Sequence, residues 1–284
     1  MNDFTTYTNN IINDRIIDCH IHLFDANGEA PLNHNIKRVG FMDIWFNELD
    51  RYTKNQSEVL YNKYINEGLL PFTTLCATAP DPDQIIHIYE KHTPYIKGFG
   101  ELKCYDYTFS DKIPQKLEFK DLKWVNELCN YNIMNLPIYI HYSLDKNNYK
   151  QLEELFKNYP NIPFILCHCG IGTNNEYGFS IQDNPHTSLK LAIELSTLDN
   201  VYLDISFTAM DYLCNLDYYS FNNILQHINP KKILLGTDEN NQQFRSEKIN
   251  GYELYQKQKR NFLILYKYFG NCNYINYRKL FNKK

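Results

Sequence analysis

IIDCHIHLFD, residues 16–25, ends a strand-like apolar run on two imidazoles one residue apart, His20 and His22. Side chains of an extended strand alternate between its faces, so the two rings share one face while Cys19 and Ile21 take the other. Two imidazoles on one face can hold a single metal ion. Asp18 has the same parity and is placed to support one ring from a layer below, as carboxylates behind metal-bound histidines do. On its own such a pair is weak evidence, because histidines at the rim of a sheet can equally be hydrogen-bonded structural groups.

The rest of the chain repeats the design. Short β-branched or aromatic runs recur at 71–79, 95–102, 137–143, 163–170, 201–206 and 232–238, separated by stretches with helical spacing. That is the pattern of βα units around a parallel sheet. With residues 15–22 it makes seven strands. The helical stretches include DPDQIIHIYEKH, where Asp81 can cap and Pro82 takes the first helical position, and DLKWVNELCNYN, QLEELFKNY and TSLKLAIELSTL. Residues 23–70 are too many for one loop of a compact domain and should hide an eighth strand with one or two helices, FMDIWFNELDRY and SEVLYNKYINEG. Eight strands predict an α/β fold, a closed (β/α)8 TIM-type barrel. One domain is expected over 1–284, closed by a long and a shorter C-terminal helix.

Four later strands each carry a ligand-type residue near the C-terminal end: Glu101, His141, His168 and Asp238. In a (β/α) barrel these ends meet at one mouth, where active sites sit. Together with His20 and His22 they form a mixed imidazole and carboxylate set that suits zinc or another first-row divalent ion better than calcium. By strand parity, Cys167 and Cys169 of CHCG should face the helices while His168 faces the mouth. Three long loops, 23–45, 170–187 and 239–250, overhang that mouth. Lys103, Tyr142, His186 and Arg245 lie on or beside them as candidate groups for an anionic part of a substrate. His34, His87, His92 and His227 fall outside the pattern and are read as surface or packing residues.

A formal net charge of −4 over 284 residues gives no electrostatic footprint for nucleic acid or an anionic membrane, so a small molecule is the expected partner. No basic-then-apolar leader opens the chain and no apolar run approaches the ~18 residues of a membrane span. A cytoplasmic protein with its eight cysteines reduced is expected.

The order HxH, Glu, His, His, Asp across successive strands resembles the amidohydrolase superfamily. CHCG, NVYLDIS, KILLGTD and NYINYRKLF resemble its amidohydrolase-related branch, so the likeness runs from about residue 15 to residue 281. The resemblance implies a metal-dependent hydrolase of the barrel type, with HxH on the first strand, His141 on the fifth, His168 on the sixth and Asp238 on the eighth. Glu101 resembles the strand-four glutamate also found in TatD-like metal-dependent nucleases. If Glu101 bridges, two ions are implied; if it does not, one ion is held by His20, His22, His141 and Asp238, with His168 left for catalysis. Zn2+ is the expected ion, with Mn2+ or Fe2+ as substitutes. A metal-activated water would attack a small-molecule amide, ester or lactone-type bond, Asp238 taking and returning the proton and His168 polarising the scissile oxygen. Three other readings share the ligands: a TatD-like phosphodiesterase or nuclease, a metal-dependent decarboxylase of the amidohydrolase-related branch, and a catalytically inactive binding barrel. The acidic balance and the ending GTDEN weigh against the nuclease, and intact ligand positions weigh against the inactive barrel. Barrels of this group often pair, so a homodimer is expected.

Overall fold

The computed structural model describes residues 19–20, 41–45, 74–78, 83, 85–86, 89–90, 96–103, 105–110, 113–119, 122–132, 134–172, 184–238 and 251–281. Seven strands form one parallel sheet: β1 (Phe41–Trp45), β2 (Thr74–Thr78), β3 (Ile96–Lys103), β6 (Ile138–His141), β7 (Phe164–Leu166), β8 (Val201–Ile205) and β9 (Ile233–Leu235), hydrogen-bonded in that order. Every neighbouring pair is parallel. Segment 19–20 then adds to the free side of β9. Cys19 N–H donates to Leu235 O at 2.8 Å and Asp238 N–H donates to His20 O at 2.7 Å. The first segment of the barrel thus lies against the last strand, as closure of an eight-membered (β/α) barrel requires. A side chain at Gly236 would run into the Cβ of His20, so this approach needs glycine.

β1 is the strand expected within 23–70. It lies in FMDIW, a segment read above as the start of a helix. An antiparallel hairpin not anticipated from the sequence, β4 (Tyr105–Ser110) and β5 (Ile113–Phe119), follows β3. Around the sheet lie α1 (Lys123–Tyr131), α2 (Tyr149–Asn158), α3 (Pro185–Leu195), α4 (Phe207–Cys214) and α5 (Tyr218–His227). Asn184 caps α3 by accepting from His186 N–H, and Asp217 caps α5 by accepting from Tyr219 and Ser220 N–H. The C-terminal stretch is one helix, α6 (Gly251–Phe281), where two were expected.

Alternation along the strands sorts the core into two. Ile138, Ile140, Phe164, Leu166, Leu203 and Ile205 pack with the helices. Tyr139, Ile165, Tyr202 and Leu234 take the opposite face and form the barrel interior with Cys19, Cys167 and, from α6, Tyr277, Leu280 and Phe281. All of these are buried, which is why the strands read as continuous apolar runs. No helix among the described residues is long and apolar enough to cross a membrane.

Buried amides fix α6 to the last strand. Asn273 Oδ1 accepts from Leu235 N–H at 3.0 Å and from the Cys19 thiol at 3.0 Å. Asn276 Nδ2 donates to Pro230 O and Ile233 O, each at 2.8 Å. Asn273→Ala removes a completely buried acceptor shared by both sides of the closure. It should lower unfolding free energy by about 1–3 kcal/mol in urea titrations, and a variant as stable as the parent would show that this amide does not hold the seam.

Candidate metal centre

Each ligand-type side chain reaches the mouth from the end of its own strand. β3 delivers Glu101 and β6 delivers His141, whose Nδ1 lies 2.6 Å from Glu101 Oε1. β7 stops at Leu166, and the next residues turn into a short 3-10 segment in which His168 and Cys169 hold left-handed backbone, φ 52° and 51°. This turn carries His168 Nε2 to 3.2 Å from Glu101 Oε1 and 3.8 Å from Asp238 Oδ2. Asp238, also left-handed at φ 56°, places Oδ1 3.6 Å from His20 Nε2. Left-handed non-glycine residues cost on the order of 1–3 kcal/mol each, and two of them fall at the point of convergence.

The donors suit a divalent ion. Bonds of about 2.0–2.1 Å in a tetrahedral site put ligand atoms about 3.3 Å apart. The 3.2, 3.6 and 3.8 Å separations sit close to that edge. The 2.6 Å contact between Glu101 and His141 is instead a hydrogen bond, whose proton an ion would displace. Glu101, His141 and His168 offer ligand atoms all within 4.8 Å of one another, and so do His20, Cys167 and Asp204. All six are buried.

Electrostatics binds the cluster together. Burial alone would push His20 down, but the charge and hydrogen bond of Asp204, then the charges of Asp238 and Glu101, hold it well above 6.5. Burial also pulls His168 down, and Asp238 together with Glu101 raises it on balance. Burial pushes Glu101 up, yet the charge and hydrogen bond of His141, followed by His168, carry it well below the usual glutamate value.

Behind the centre lies support that the sequence reading assigned elsewhere. Asp204, on β8, has its Oδ2 2.6 Å from His20 Nδ1, the place expected for Asp18, which lies outside the described residues. Ser206 Oγ is 2.6 Å from the same oxygen and 2.8 Å from His168 Nδ1. The signal was present in VYLDIS: Tyr202, Asp204 and Ser206 alternate onto the interior face, and a buried aspartate there needs a partner.

His22 and Arg245 lie outside the described residues. Lys103 ends β3. Tyr142 is 1% exposed and packs in the core between sheet and helices. His186 is exposed at the start of α3, with Nδ1 3.3 Å from Tyr212 Oη. Cys169 packs toward the helices as expected, its thiol pushed well up by burial and then by the charge of Asp204. Cys167 does not. It shares the parity of Ile165 and joins the barrel interior, because the strand ends before His168 and parity no longer relates the two residues.

The fold is a (β/α) barrel with a buried cluster of imidazoles and carboxylates at its mouth. Residues 127–254 match the family model described as amidohydrolase. An amidohydrolase of Burkholderia multivorans superposes with a TM-score of 0.53 at 12% identity, over 95% of this chain and 100% of the other. A protein of Agrobacterium tumefaciens gives 0.52 at 10% identity over 95% and 96%, and the dihydroorotase of Campylobacter jejuni gives 0.50 at 15% over 95% and 84%. At these identities the likeness is one of fold. No curated protein matches the chain.

The pKa shifts fix two opposite pH dependences. In metal-free protein, His20 and His168 contribute stability that is complete below the unfolded imidazole value of 6.5 and is lost as pH rises through their raised folded values. Glu101 contributes stability above the ordinary glutamate value of 4.5, lost as pH falls through its lowered one. Ion uptake must displace the imidazole protons, so zinc affinity should climb over the same rise in pH that weakens the metal-free fold. Thermal melts with chelator and zinc competition titrations across pH 6–9 check both slopes. Affinity independent of pH would contradict the assignment.

Proposed function

We propose that this protein is a divalent-metal-dependent hydrolase that cleaves an amide, ester or lactone-type bond in a small molecule. The observation that carries the reading is the meeting of Glu101, His141, His168, His20 and Asp238, drawn from across the chain, at one buried point. His20, His141, His168, Glu101 and Asp238 would hold the ion, and the HxH spacing assigns His22 to it as well. Zinc fits the nitrogen and oxygen donors. Bound there, such an ion acidifies water and polarises the scissile carbonyl.

The chain's own groups do the rest. Asp238 has one oxygen toward His20 and the other toward His168, and its backbone is pinned by the bond to His20 O. A carboxylate so placed accepts a proton from the attacking water as its oxygen bonds to the carbonyl carbon. It returns that proton to the leaving nitrogen or oxygen as the old bond breaks. His168 lies between Glu101 and Asp238, a position that favours a ligand role over a free catalytic one. The mild acidic balance supports a small substrate over nucleic acid.

Zinc-loaded protein should hydrolyse members of a panel of lactones, cyclic amides and esters, and chelation should abolish turnover until zinc is returned. Asp238→Asn should lower kcat by about 10²–10⁴-fold. Parental turnover in that variant would remove Asp238 as the base, and release of carbon dioxide without hydrolysis would replace hydrolysis with decarboxylation.

A further inference from the structure

We infer that Asp204 and Ser206 are positioning residues that fix the tautomers of both His20 and His168, so that each ring turns its Nε2 lone pair toward the centre. The inference rests on the metal-hydrolase reading for its purpose, but its geometry stands on hydrogen-bond polarity alone.

The chain of contacts runs His168 Nδ1, Ser206 Oγ, Asp204 Oδ2, His20 Nδ1, with separations of 2.8, 2.6 and 2.6 Å. Asp204 and Ser206 are fully buried, and no hydrogen bond from the described residues reaches Asp204 Oδ1, so the carboxylate is engaged through a single oxygen. A carboxylate only accepts, and each contact on it must bring a proton. His20 must therefore carry its proton on Nδ1, and Ser206 must point its hydroxyl proton at Asp204. Ser206 has no second proton. Its contact with His168 can then only be accepted, which requires the proton of His168 to sit on Nδ1 as well.

One acceptor-only group thus sets the polarity of the whole chain. In both rings the remaining nitrogen is Nε2, the atom that lies toward Asp238 in His20 and toward Glu101 and Asp238 in His168. The two rings stack with centroids 5.4 Å apart and planes 15° from parallel, as expected of imidazoles anchored to one support. Neither Asp204 nor Ser206 needs to touch the ion. Both act through the histidines, and their loss would let the rings rotate or change tautomer.

The test uses the full chain with and without zinc. Nitrogen-15 chemical shifts of the histidines in metal-free protein at alkaline pH, where the rings are neutral, should show Nδ1–H and bare Nε2 for both His20 and His168. Ser206→Ala should lose the Nδ1–H signature at His168 but keep it at His20. By chelator competition, Ser206→Ala and Asp204→Asn should bind zinc about 10–100-fold more weakly, and Ser206→Thr, which restores a hydroxyl, should recover most of the loss. An Nε2–H tautomer at His168 in the parent would overturn the inference. So would unchanged zinc affinity in both Ser206→Ala and Asp204→Asn. If the parent takes up no zinc, the hydrolase reading falls, and the tautomers measured in that same metal-free protein still decide this inference.

Discussion

The hydrogen bond from Asp238 N–H to His20 O is the constraint on which the centre depends. It joins the first segment of the barrel to the end of the last strand, more than two hundred residues away along the chain. It also sets a histidine and a carboxylate side by side. Glycine at 236 permits the approach, and the amide of Asn273 beneath it holds both sides of the seam. The Tyr139 hydroxyl adds a bond to Cys19 O from across the interior.

Charge balance explains why so polar a cluster can be buried. Three carboxylates, Glu101, Asp204 and Asp238, stand among the imidazoles of His20, His141 and His168, all shielded from water. Without an ion, protons shared between carboxylates and rings supply the compensating positive charge, which is the origin of the raised histidines and the lowered glutamate. A divalent cation provides the same compensation at one point. Protons and a bound ion would therefore compete for the same atoms.

Much of this was legible in the sequence because a fully buried parallel strand writes itself as an apolar run, and a ligand at its end interrupts that run visibly. PIYIH and KILLGTD are plain examples: His141 ends β6, and Asp238 follows the end of β9 by three residues. FMDIW was misread because its polar Asp43 and mixed side chains fit helical spacing as well as strand alternation; only pairing with β2 decides it. The hairpin Tyr105–Ser110 and Ile113–Phe119 is missed although Tyr105, Tyr107 and Phe109 alternate with Asp106, Thr108 and Ser110, because a pattern of parallel βα units leaves no place for an antiparallel pair. Cys167 was misplaced because periodicity was carried past the end of β7 into left-handed backbone. The role of Asp204 is not legible in NVYLDIS, because the rings it supports, His20 directly and His168 through Ser206, lie on two other barrel segments, and spacing along one strand carries no information about those.

Crystals grown with zinc and measured above and below the zinc absorption edge test the central claim most directly. An anomalous peak is predicted at the barrel mouth, within about 2.0–2.3 Å of ligand atoms of Glu101, His141, His168, His20 and Asp238. A mouth without anomalous density in zinc-saturated crystals, or a peak held only by other residues, would contradict the account.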